Sequence, residues 1–116
     1  MMMIVYGIPN CDTVKRARAW LTEQGVAHAF HDFKKAGVPP QRLLAWVGAA
    51  GWETVLNRKG NTWRGLTVAE RVAVVDAATA RSLMLSQASV IKRPVVEWPD
   101  GRITVGFDAA AWAPRL

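Results

Sequence analysis

The chain has a single cysteine, Cys11, among 116 residues. One thiol excludes an internal disulfide framework and leaves any thiol chemistry without a second sulfur in the same chain. No apolar run approaches the roughly 18 residues that a membrane helix needs. The Met1-Met2-Met3 start carries no basic segment, long apolar segment or cleavage site of a secretory leader. These absences together make the cytoplasm the expected location. Acidic residues are also few, 9 against 15 lysines and arginines, for a net charge of +6 and a pI near 10.3. The basic residues gather only in short clusters, Lys15–Arg18, Lys34-Lys35, Arg58-Lys59 and Lys92-Arg93. No basic run of 5–8 residues, helix-turn-helix or zinc-finger pattern accompanies them, so direct nucleic-acid binding is not expected. Such charge favours solubility and attraction of small anions or an acidic protein partner.

What is present points to a folded α/β domain. A hydrophobic fraction of 51% argues against disorder, and six tryptophans supply aromatic anchors for a core. Residues 3–8 predict a buried strand, and 12–24 an amphipathic helix with Val14, Ala17, Trp20 and Leu21 on one face. Gly25 suits the position just past that helix. Val26 to Phe33 predicts a second strand, parallel to the first because a helix joins them. Lys34-Lys35-Ala36-Gly37 predicts a turn, and Pro39-Pro40 leads into a helix carrying Leu43, Leu44, Trp46 and Val47. Trp52 to Leu56 predicts a short helix, Asn57 to Asn61 a polar loop, and Thr67 with Glu70 a capping box. Asp76 to Gln87 predicts a further helix, and Ser89 to Pro94 an extended return. Asp100-Gly101, between the β-branched runs 95–98 and 102–105, is a strong hairpin signal, and Asp108 can cap a final short helix. This order predicts one domain, 1–116: a thioredoxin-like core from 1–37 and 89–116, with a helical insertion at 38–88.

Cys11 stands where the first strand gives way to the first helix. The opening N–H groups of a helix lack intrahelical partners and carry the positive end of its dipole. A thiol there has its thiolate stabilised, and Lys15, Arg16 and Arg18 add positive charge in sequence. Free cysteine is also a common core residue, but the Pro9-Asn10-Cys11-Asp12 turn follows the C-terminal end of a strand, where α/β folds place ligands. A reactive thiol is the expected role. Arg58 and Arg93 are candidates to hold an oxyanion or carboxylate through bidentate hydrogen bonds; spacing alone leaves them equally readable as solvated arginines. His28 and His31 stand at no metal-ligand spacing and read as structural residues.

These residues carry a resemblance. The segments Y-G-I-P-N-C-D-T at 6–13, K-R-A-R-A-W-L at 15–21, H-D-F-K-K at 31–35, G-W-E-T-V-L-N-R-K-G at 51–60, I-K-R-P-V-V at 91–96 and V-G-F at 105–107 span nearly the whole chain. Together they resemble the glutaredoxin-coupled arsenate reductase family (ArsC type), and more closely its YffB-like and Spx-like branches. The resemblance implies that Cys11 is the nucleophile, that Asn10 shapes its loop, and that Arg58 and Arg93 bind the anion. It also implies that Pro94 is a cis-proline facing the cysteine loop. The third arginine of the arsenate enzymes has no counterpart, since the chain reads Thr104-Val105-Gly106-Phe107 there. Gly7 and Val14 replace a histidine and a serine of those enzymes. Losing one charged donor from an oxyanion site costs about 2–4 kcal/mol, which counts against arsenate as substrate. The implied activity is a thiol-dependent reductase with glutathione as co-substrate, no bound cofactor, and glutathione or a glutaredoxin resolving the adduct. Arsenate reduction is one alternative. A non-enzymatic Spx-like regulator of an acidic protein partner is another, although the C-x-x-C switch of those regulators reads Cys11-Asp12-Thr13-Val14 here.

Overall fold

The apolar run Met3-Ile4-Val5-Tyr6-Gly7 forms strand β1 (Met3–Gly7) in the computed structural model, which describes residues 2–116. Helix α1 (Asp12–Glu23) crosses over to β2 (His28–Asp32), and β2 lies parallel to β1 with Met3 opposite His28 and Gly7 opposite Asp32. The end of the chain completes the sheet. Strand β3 (Val95–Glu97) runs antiparallel to β1 with Val96 opposite Val5, and β4 (Ile103–Val105) runs antiparallel to β3. The strand order is β2-β1-β3-β4, a thioredoxin-like sheet built from both ends of the chain.

The β3–β4 hairpin follows from its turn residues. Gly101 adopts φ 86°, a left-handed conformation that favours glycine. Its N–H donates to the Trp98 carbonyl at 2.9 Å, and the Trp98 N–H donates to the Arg102 carbonyl at 2.8 Å. A short helix, α8 (Ala109–Trp112), closes the chain, and the Asp108 carboxylate accepts hydrogen bonds from Ala110 and Ala111 at its N-terminus.

Strand periodicity assigns the two sheet faces. Met3, Val5, Val96 and Trp98 are buried with Ala17 and Leu21 of α1 and Trp112 of α8. Trp112 meets Trp98 edge-on at 5.2 Å and Phe107 at 4.8 Å between ring centroids. On the opposite face, the Tyr6 hydroxyl donates a 2.8 Å hydrogen bond to Glu97, the buried carboxylate of β3. That bond satisfies part of what a buried carboxylate needs.

The chain divides into two compact units, one combining the segment up to Lys35 with Arg93–Leu116 and the other spanning Ala36–Lys92. The second unit is helical: α3 (Pro40–Ala50), α4 (Trp52–Val55), α5 (Asn61–Arg64), α6 (Val68–Val72) and α7 (Ala77–Ser86). Helix α3 packs against α4 and α7, with Leu43, Trp46, Ala80 and Met84 fully buried. The Thr67–Glu70 capping box forms, and Asp76 with Thr79 makes a second one.

Several local expectations are corrected. The second strand is His28–Asp32 rather than Val26 to Phe33. Phe33 starts a single helical turn, α2 (Phe33–Ala36), where a plain turn is expected, because Asp32 Oδ1 accepts from the Lys34 N–H at 2.8 Å. Asn61 opens α5 instead of closing a loop. Leu44 is 53% exposed, since Leu43, Trp46 and Val47 fill the buried stripe of α3 at helical spacing. Ala88–Val90 forms a 3-10 turn within the stretch expected to be extended. The unit boundaries lie at 36 and 92, against the expected 38 and 88. Among the described residues no helix is long and apolar enough to cross a membrane.

Candidate active site

Cys11 occupies the position immediately before α1, with extended backbone angles of φ −115° and ψ 124°. Its carbonyl accepts the first helical hydrogen bond, from the Lys15 N–H at 2.9 Å. The thiol is partly exposed and makes no side-chain capping hydrogen bond, as fits a weak neutral acceptor. Burial pushes its pKa up, the largest single influence. A hydrogen bond from the Val14 N–H, a hydrogen bond and charge from the Arg93 guanidinium, and a hydrogen bond from the Thr13 N–H together outweigh it. The net effect holds the thiol below its ordinary value.

The Arg93 contact joins sequence-distant segments of the first unit. The Arg93–Pro94 peptide bond is cis, Pro94 is buried, and its carbonyl accepts from the Gly106 N–H at 2.9 Å. β3 follows directly, so the arginine leaves the sheet at the end where β1 delivers Cys11. Asn10 lies exposed in the turn before the cysteine.

The cations nearest to Cys11 in sequence do not act as expected. Arg18 stacks over the Phe30 ring at 4.3 Å and approaches His28 Nε2 at 3.5 Å. Arg16 reaches Thr13 Oγ1 at 3.5 Å. None of Lys15, Arg16 and Arg18 figures among the causes of the thiol shift, because helical rotation turns them away while Arg93 arrives from another segment. Arg58 belongs to the second unit, where it pairs with Glu53 at 3.3 Å and lies over the Trp52 ring at 5.6 Å. Of the expected site residues, the structure thus brings Cys11 and Arg93 together.

Two features escape sequence reading. Gly7 and Val14 touch: a Cβ at Gly7 would lie 2.8 Å from Val14 Cγ2. The glycine therefore leaves room for the fully buried valine whose N–H faces the thiol. The region where a third arginine is missing belongs instead to an aromatic cluster, with Phe107 6.1 Å from Trp20 and 4.8 Å from Trp112. His31 packs against Tyr6 at 5.0 Å and Phe33 at 5.9 Å, a packing role in agreement with the structural reading.

Residues 6–114 match the ArsC family. The chain belongs to that family. A solved YffB protein is 49% identical, with 97% of each chain covered and a TM-score of 0.91. An arsenate reductase-related protein from Brucella melitensis is 46% identical, covering 98% of this chain and 93% of that one at a TM-score of 0.77. The global transcriptional regulator Spx of Streptococcus agalactiae is 23% identical over 98% of this chain and 85% of its own length. This ArsC-family chain thus falls with the YffB and Spx relatives, and its fold is the one those structures share.

Proposed function

We propose that this ArsC-family protein is a thiol-dependent reductase with Cys11 as its nucleophile and glutathione as co-substrate. The observation that carries the reading is the Arg93 guanidinium at the Cys11 sulfur, beside the Val14 and Thr13 N–H groups that hold the thiol pKa down. A thiolate so stabilised attacks the glutathione sulfur of a mixed disulfide. The new sulfur–sulfur bond joins Cys11 to glutathione, and the substrate leaves as a thiolate that takes a proton from water. Cys11 is the only cysteine, so an external thiol, a second glutathione or a glutaredoxin, must attack the adduct. That attack yields oxidised glutathione or a glutathionylated glutaredoxin and restores the Cys11 thiolate. Each cycle moves two electrons from external thiol to substrate.

Arg93 has a second task in this scheme, pairing with an anionic group of the incoming molecule. Arg58 is assigned anion binding on the strength of the family match, and Asn10 and Pro94 the shaping of the thiol's surroundings. Arsenate reduction is disfavoured because Phe107 and its aromatic neighbours fill the region where the third arginine is missing. Steady-state arsenate turnover with glutathione and glutaredoxin tests that point directly. The similarity to Spx supports a second reading, a regulator that binds an acidic protein; binding of such a partner that survives Cys11→Ser would favour it.

The deciding experiment is alkylation of Cys11 against pH, read by intact mass, with and without oxidised glutathione. A midpoint below the ordinary value of about 8.5, together with a glutathione adduct, is the expected result. A midpoint at or above that value overturns the reading.

A further inference from the structure

The helical unit contains a basic pocket that the thiol scheme leaves unused. Backbone pairing builds it. Leu56 bridges Ile91 in antiparallel fashion, the Asn57 N–H donates to the Val90 carbonyl at 2.7 Å, and the Lys92 N–H donates to the Val55 carbonyl at 2.8 Å. This short ladder holds Lys92 beside the loop that starts at Asn57. The loop folds back on itself, with Asn57 Oδ1 accepting from the Lys59 N–H at 3.1 Å in an Asx-type turn. Gly60 lets it close, because a Cβ there would sit 2.8 Å from Asn57 Nδ2.

A cavity of about 300 Å³ results, lined by Thr54, Asn57, Arg58, Lys59 and Lys92 with Glu53 as its one acidic residue. Three cations thus face one carboxylate. Glu53 is already engaged by Arg58 at 3.3 Å, and the Trp52 ring at 5.6 Å further orients that guanidinium. Among the described residues neither Lys59 nor Lys92 stands within ion-pair distance of a carboxylate. A concave surface lined by one sign of charge concentrates counter-ions, and this volume suits a small molecule. Thr54 and the Asn57 amide add neutral donors.

We propose that this pocket binds a small oxyanion, a carboxylate or phosphate group. Arg58 is the pre-oriented donor, and Lys59 and Lys92 are the adjustable charges that close on the anion. The site requires no residue of the unit that carries Cys11, so it stands apart from the reductase reading.

The test uses the full chain, isotopically labelled, at low ionic strength. Backbone amide shifts are followed while inorganic phosphate or S-methylglutathione is added, the latter presenting two carboxylates and no free thiol. Saturable shifts confined to residues 53–60 and 90–92 are expected with at least one probe. Lys59→Gln with Lys92→Gln should weaken that binding at least five-fold, and either single variant at least two-fold should the double variant fail to fold. Cys11→Ser should leave it unchanged. Saturation by phosphate alone assigns the site to phosphates, and by S-methylglutathione alone to carboxylates. Non-saturating shifts, shifts reproduced by sodium chloride at equal ionic strength, or binding indifferent to the lysine variants overturn the proposal. Because no outcome depends on thiol reactivity, the pocket and the reductase scheme succeed or fail separately.

Discussion

Replacing Gly7 by alanine is the most informative perturbation of the thiol site. The new Cβ would lie 2.8 Å from Val14 Cγ2, well inside the 3.4 Å at which ordinary contact begins, with Phe30 Cε1 a further 3.8 Å neighbour. Neither side yields easily. Gly7 is held in the ladder opposite Asp32, and Val14 is 0% exposed in the first turn of α1. Overpacking of this kind costs about 1–3 kcal/mol. Val14→Ala alone costs about 1.5–3 kcal/mol through lost burial and a residual cavity, but it also removes the methyl that the new Cβ strikes. The double variant is therefore expected to be more stable than the sum of the singles predicts, by about 1–2 kcal/mol. Urea unfolding of the four proteins measures this coupling. A second readout is tied to function. The Val14 N–H favours the thiolate, so pushing Val14 aside should raise the alkylation midpoint of Cys11 in Gly7→Ala and lower it again in the double variant. Stabilities that add within 0.5 kcal/mol, or a thiol midpoint indifferent to Gly7→Ala, would refute the argument that this contact positions the helix start.

Arg93→Gln removes both a hydrogen bond and a positive charge from the thiolate, so the Cys11 midpoint should rise while far-ultraviolet circular dichroism stays unchanged; an unmoved midpoint would show that the N–H groups alone set the thiol. Because the folded Cys11 pKa is depressed, its contribution to stability is fully present above the unfolded value of about 8.5 and is lost as pH falls through the folded value. Unfolding free energy of the native chain should thus rise with pH relative to Cys11→Ser between those two values, and parallel curves would contradict the linkage. Tyr6→Phe leaves the buried Glu97 carboxylate without its 2.8 Å donor and should cost about 1–3 kcal/mol in urea unfolding. Trp112→Ala empties the aromatic cluster with Trp98, Phe107 and Trp20 and should cost about 3–5 kcal/mol.

Sequence alone carries the elements whose causes are local. The start of α1 after Pro9-Asn10-Cys11, the Asp100-Gly101 hairpin, the Thr67 capping box and the Asp108 cap all depend on residues within a few positions of one another. Periodicity and turn chemistry are therefore sufficient to place them, and with them the thiol at a helix N-terminus. The short irregular pieces are less legible: the α2 turn depends on one Asp32 hydrogen bond, and a 3-10 turn interrupts the stretch before Arg93. Electrostatics around Cys11 belongs to the tertiary structure. Charge counted along the chain favours Lys15, Arg16 and Arg18, yet helix rotation turns them away and the sheet topology brings Arg93 to the sulfur instead. The same holds for Tyr6 and Glu97, at opposite ends of the chain, which meet only because β3 pairs with β1 in the register that faces both inward. Spacing sets what a segment forms; which side chains share a site is decided by strand order and register, which act between segments far apart in sequence.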